Sequence, residues 1–575
     1  MRLPNLLGTK NGRLAAFFFL YMTEGIPLGF AATAVATQLR RMGVGPAEIG
    51  AFVAAFYLPW AFKWAFGPLI DVFRSERFGH RRAWIIGTQL MMAATLAVLI
   101  FLKLPEQLPL FTLILLVHNT FAAMQDVAID SLACNVLQED ERGLANGLMF
   151  GGAAIGQAVG GSGVLFLMSY IGFQSSFIFV ALCILAVTGL VVLPMKEALV
   201  QATAKTGSGL RHAAGEMRDF AMAAFRSFLG TKGAFAGVFY ALLPAGAMSL
   251  SLALQSNLSV ELGLDDDQVA WLQLFSTVAS AVAMVIGGFL SDHLGRRRVL
   301  TVCTLLTSLP VLYLMWVLQQ HGYVMPREPG SAGALAAVPP ALVSALWAST
   351  IAFNIFMGLG YGVRTALFMD VTNPRVAATQ FTAYMALSNL AIAYTATWQG
   401  LAIEAWGYPI TLAADAALGL GSLALMPLMK KAQSEAEQMG DAHAAKRAGR
   451  CAFGLGLLCL AWLPFWLFRG QTGAAEAIFN TFFTLVFVVA ALFMLAGREV
   501  LGAGASKSLR SACVWLAPLL LALYLRHYLN NLAAAAPPLL LGLAQALIYV
   551  VPLLAAALLM LLARRNWGSL LEARA

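Results

Sequence analysis

The sequence predicts an all-α membrane protein: two six-helix bundles that repeat one another, followed by about four further transmembrane helices. Three observations lead there. Of the 575 residues, 60% are hydrophobic and only 11% charged, where a soluble domain carries about 25% charged. Apolar stretches of about 20 residues recur from end to end, each long enough to cross a hydrocarbon core roughly 30 Å thick. One loop motif also occurs twice, around Asp71 and around Asp292.

In lipid the backbone must bond to itself, and segments of this length do so as helices. With Gly, Pro and charge as punctuation, sixteen spans are predicted, at 13–39, 48–70, 83–103, 109–135, 143–168, 173–194, 233–260, 268–290, 298–318, 341–371, 378–403, 409–429, 451–468, 474–496, 511–528 and 537–563. They group as an N-terminal bundle (1–195), a linker (196–232), a C-terminal bundle (233–430), a second linker (431–450) and four additional spans (451–575). The run after the first basic residues contains Glu24 and is too long for a secretory h-region, so it reads as a retained first helix.

Lys and Arg set the orientation. With both termini cytoplasmic, all but eight of the 37 fall on the inner side. Arg40, Arg41, Lys103, Arg327, Arg469 and Arg526 fall outside, and Lys63 and Arg364 within spans. The net charge of +9 therefore reflects topology and contact with anionic inner-leaflet lipid, and gives no case for nucleic acid. The six cysteines are scattered without a C-x-x-C, and the seven histidines lack ligand spacing. Neither a disulfide framework nor a metal site is indicated. No nucleotide-binding P-loop occurs, no cofactor is expected, and ATP-driven pumping by this chain alone is disfavoured.

The repeat is specific. Residues 67–82 read GPLIDVFRSERFGHRR and residues 288–298 read GFLSDHLGRRR. Both are Gly-x-Leu-x-Asp or its equivalent followed by Gly and a basic cluster, each just after an even-numbered span, the first copy carrying a five-residue insertion. A weaker echo links IPLG (26–29) with LPAG (243–246), each followed by a glutamine, Gln38 and Gln255. Two parallel six-helix halves are the simplest account.

These loops resemble those between helices 2 and 3, and 8 and 9, of major facilitator superfamily transporters, over about residues 10–430. The resemblance implies two bundles around a central cavity lined by helices 1, 4, 7 and 10, opening alternately to either side. In that scheme Asp71, Arg81 and Arg82, with Asp292, Arg296 and Arg297, gate the cytoplasmic face, the aspartates capping helix N-termini or pairing with the arginines. A narrower resemblance follows from EGIPLGF (24–30), FKWAFGPLID (62–71), QDVAID (125–130) and AATQFTAYMALS (377–388). These are similar to AmpG-type muropeptide permeases and their acetyl-coenzyme A transporter relatives, and the similarity implies a bacterial inner-membrane location.

Five ionisable residues fall within one slab of this fold's cytoplasmic half. From the predicted boundaries Asp126 lies about 14 Å from the cytoplasmic end, Asp130 about 8 Å, Lys63 and Arg364 about 10 Å, and Glu24 about 16 Å. An unpaired charge facing lipid there would cost at least ~2.5–3.5 kcal/mol, so each is expected to face a wet cavity or a partner. Lys63, Arg364, Gln125 and Glu24 are candidate binders of an anionic, amphiphilic small-molecule substrate. Asp126 and Asp130 are candidates for the coupling proton. The same charges also permit buried structural pairs, Lys63–Asp126 and Arg364–Asp370. His118 reads as a satisfied core histidine rather than a relay, and the glycines of 143–163 as close helix packing.

The leading expectation is a proton-coupled secondary transporter importing muropeptide-like fragments. A cargo of acetyl-coenzyme A, a siderophore or a drug stays open, as does, less favoured, a polytopic enzyme or sensor.

Overall fold

The computed structural model describes residues 5–72, 79–138, 142–197, 215, 218–219, 222, 225–251, 253–327, 338–372, 377–430, 443–468, 475–502, 504–523 and 538–568. Among these, every regular element is helical. Twelve helices are long and apolar enough to cross a membrane. One of them, Gln380–Leu428, contains both span 11 and span 12, with Gly407 (φ 78°) marking the turn between them. Val285, Phe289 and Leu190 stand largely exposed on span surfaces, as side chains facing lipid do.

Spans 2 and 7 depart from the single helices expected of them. Span 2 runs as Pro46–Ala61, breaks at Phe62 and passes through a 3-10 turn, Lys63–Ala65, before Phe66–Val72. Its break therefore carries Lys63. Span 7 runs as Lys232–Leu242, loses helical structure across the LPAG segment, and resumes as Ala253–Glu261. A buried carboxylate from span 12 holds this gap: Asp415 accepts the backbone N–H groups of Met248 and Ser249, each at 2.9 Å, and the Gln399 amide at 2.8 Å. Span 1 stays continuous over Lys10–Arg41 through its own IPLG segment, with a π-helical turn at Phe30–Val35. Span 15 is described over Lys507–Ala522, and residues 524–528 of its predicted stretch lie outside the described residues.

The glycines of 143–163 do pack helices. A Cβ on Gly152, Gly156 or Gly160 would collide with the carbonyl oxygens of Phe18, Met22 and Ile26, and one on Gly25 or Gly29 with span 5. Spans 1 and 5 thus touch backbone to backbone, which fixes span 1 and the acidic residue it carries. Gly358 packs likewise on Ser280 of span 8.

Two compact units emerge. The first comprises Met1–Ala221, Val238–Asp370 and Ala377–Pro427, and contains both repeated halves. The second comprises Met222–Gly237, Val371–Val376 and Leu428–Ala575. It has its own core, in which Trp462 packs on Trp466, Phe483 and Phe487. Most of the linkers 196–232 and 431–450, and residues 328–337 of the loop 319–340, lie outside the described residues.

Candidate functional site

Four of the five expected ionisable residues meet. Lys63 Nζ lies 2.9 Å from Asp126 Oδ2, with the two side chains 15% and 6% exposed. One helical turn on, Asp130 Oδ1 accepts a 2.5 Å hydrogen bond from the Tyr21 hydroxyl of span 1. Glu24, one turn beyond Tyr21, has Asp126, Asp130 and Lys63 as its charged neighbours, and its Oε1 is buried without a hydrogen-bond partner. The break in span 2 brings Lys63 to spans 1 and 4, where their i, i+3 and i, i+4 spacings align the acidic groups. Three carboxyl groups thus share one ammonium.

Gln125 belongs to a neighbouring polar chain. Its amide donates to Thr23 Oγ1 at 2.9 Å, Gln89 does so at 3.4 Å, and Thr188 donates to Gln89 Oε1 at 2.7 Å. Gln125 Oε1 remains buried and unpartnered. His118 Nδ1 is engaged with Thr95 and the Met92 carbonyl, while its Nε2 is buried without a hydrogen-bond partner.

Arg364 makes its contacts away from this cluster. It lines a small pocket walled by spans 7, 9 and 10, among them Ala245, Cys303, Thr307 and Tyr361. Its Nη2 donates to Ser388 Oγ at 3.1 Å, its guanidinium carbon lies 5.6 Å from the ring centroids of Tyr240 and Phe368, and its Nε is buried without a partner. The Arg364–Asp370 pair does not form. Six residues along a helix point about 120° apart, and Asp370 instead takes Arg296 from span 9 at 2.5 Å. Among the described residues no carboxylate pairs with Arg364.

Of the expected gating residues, Asp71 and Asp292 have side chains outside the described set. Arg81 donates to Ser131 Oγ at 2.8 Å, Arg82 Nε to the Val192 carbonyl at 3.0 Å, and both backbone N–H groups to Glu197, which caps the helix His80–Leu99. Arg297 is exposed. These contacts, and Arg296–Asp370, stay within one half.

Sequence reading missed Tyr21, although its spacing from Glu24 puts it on the same helix face. It missed Tyr240 and Ser388 because they reach Arg364 from other spans.

Buried charge gathered at breaks and kinks of a two-fold repeated helical unit defines a membrane transporter. The chain belongs to the Major Facilitator Superfamily, whose family model matches residues 14–252 and 236–569. It is similar to the Anhydromuropeptide permease of Escherichia coli K12, at 24% identity over 501 residues covering 85% of this chain and 94% of that protein. It is also similar to the Putative transporter AmpG 4 of Rickettsia conorii, at 23% identity over 69% of this chain and 92% of the relative. Among solved structures, a D-xylose–proton symporter shares the fold with a TM-score of 0.51 at 11% identity, over 74% of this chain and 99% of that one. Family and relatives are transporters rather than enzymes.

Proposed function

We propose that the chain is a proton-coupled importer of an anionic, amphiphilic solute of the muropeptide type, set in the bacterial inner membrane with both termini cytoplasmic. The observation that carries the cargo class is Arg364, a cation beside a cavity with no carboxylate partner among the described residues. A carboxylate on the solute supplies the missing charge, and a planar guanidinium grips it with two parallel hydrogen bonds. The tyrosine and phenylalanine rings around it offer apolar and hydrogen-bonding faces to the rest of the ligand. Lys63, already paired with Asp126, is assigned to coupling rather than to cargo. Glu24, Asp126 and Asp130 outnumber their one ammonium, and excess buried charge of this kind is relieved by taking up a proton. The relative named for anhydromuropeptides supports the cargo, and the placement of Lys and Arg supports the orientation.

Uptake into proteoliposomes tests the reading. A disaccharide–peptide fragment should accumulate under an inward proton gradient and stop doing so with a protonophore. Arg364→Gln should lower uptake at least tenfold. Gradient-independent uptake would remove the coupling, and uptake untouched by Arg364→Gln would remove the anion site. Acetyl-coenzyme A, run in parallel, carries several more charges than this one cation can meet and should not compete.

A further inference from the structure

We infer that the bundle end carrying Arg40 and Glu261 is shut by a charge latch between the two repeated halves, which must break whenever the cavity opens to that side. Arg40 ends span 1 and Glu261 ends span 7, and they are 2% and 6% exposed. Glu261 Oε1 accepts from Arg40 Nε at 2.9 Å, from Arg40 Nη2, and from the Tyr408 hydroxyl at 2.7 Å. Its Oε2 accepts from the Tyr323 hydroxyl at 2.9 Å and the Arg327 N–H at 3.1 Å. Arg40 uses its other donors on the carbonyls of Val44 at 3.0 Å and Arg327 at 2.7 Å. A buried pair survives desolvation only when the remaining lone pairs and protons are met in this way.

The latch is a product of the repeat. Both halves turn through the same motif after the first helix: Gly43 and Gly263 take φ of 85° and 80°. The following residues, Val44 and Leu264, donate back to the Leu39 and Ser259 carbonyls at 3.0 and 3.1 Å. Such a helix end needs a left-handed residue, hence glycine. The two copies carry opposite charge. One has Arg40 and Arg41; the other has Glu261 and the run Asp265–Asp267. Arg41 accordingly binds Asp266 at 2.8 Å and donates to the Leu264 carbonyl. Both ion pairs that join the halves among the described residues lie at this end. Spans 2 and 11 close there too, with Gly50 and Gly400 each against the other helix's backbone.

The latch rests on the proposed orientation only for the face it names, the external one. The test uses full-length protein with its native cysteines replaced by alanine and Ser256→Cys added. Ser256 is 2% exposed, and its Oγ lies 3.5 Å from the Ala32 carbonyl of the other half. A membrane-impermeant maleimide applied outside intact cells should label this cysteine slowly. Glu261→Gln or Arg40→Gln should speed labelling at least tenfold, and the exchanged pair Arg40→Glu with Glu261→Arg should slow it again. Parental rates in both single variants would overturn the latch. If the singles do not accumulate, Tyr323→Phe with Tyr408→Phe keeps both charges and removes two hydrogen bonds. That variant should label at least threefold faster, and a parental rate there overturns the latch equally. Acceleration seen only in inverted vesicles would support the latch and overturn the orientation.

Discussion

Lys63 and Asp126 show how one contact divides the work of a membrane site. Each charge is tolerable inside the bilayer because the other is 2.9 Å away, so removing one exposes the cost of the other. Lys63→Gln should destabilise the protein by about 3–5 kcal/mol, the typical penalty for stranding buried charge, because Asp126, Asp130 and Glu24 lose the one ammonium they share, and should abolish proton-driven uptake. Adding Asp126→Asn should recover part of the melting temperature and none of the uptake. Recovery of both would make the pair structural; a single variant that melts normally would mean the ammonium is not buried as the geometry has it. The site was legible in sequence as far as charge inside apolar spans can be counted, which found Glu24, Lys63, Asp126, Asp130 and Arg364. Which of them meet depends on helix neighbours, which one sequence does not show. The exposed-side arginines Arg40 and Arg41 stood out only as exceptions to the charge rule. Their partners, Glu261 and Asp266, lie in the other half of the chain.

Hydropathy located nearly every helix but could not see where helices break. A window of apolar residues reads the same whether the backbone within it is helical or not, because a broken segment needs partners that come from elsewhere. In span 7 the partner is Asp415, 0% exposed and wedged under the gap from span 12. The LPAG echo marked the place without revealing the outcome, since IPLG in span 1 stays helical. Asp415→Ala would leave the Met248 and Ser249 N–H groups and the Gln399 amide without an acceptor, at about 1–3 kcal/mol for each buried group left unpaired. The variant should melt well below the parent, and Asp415→Asn, which keeps one oxygen, should fall between the two. Equal melting of all three would show that span 7 holds its break by itself.

At the scale of the whole molecule, the last four spans are tied to the segment that joins the bundles. Residues 222–237 belong to the same compact unit as Leu428–Ala575. Phe225 packs edge-on against Phe493 at 5.0 Å, Arg226 binds Glu499 at 2.7 Å, and Arg447 donates to the Leu229 and Gly230 carbonyls. Leu229, 2% exposed, is buried in the core built by those spans. These contacts bury the segment 225–230 in the core of the last four spans. A stop codon after Lys430 should therefore lower the melting temperature and the amount of monodisperse protein in size-exclusion chromatography, by uncovering Phe225 and Leu229 at once. Glu499→Ala should do much less, because a pair whose side chains are 31% and 29% exposed is worth at most about 1 kcal/mol. Apolar burial would then be the anchor, with the ion pair only setting register. A truncated chain that melts like the full-length protein would show that this burial adds nothing to stability, and a Glu499→Ala variant as damaged as the truncation would move the anchor from the rings to the charges.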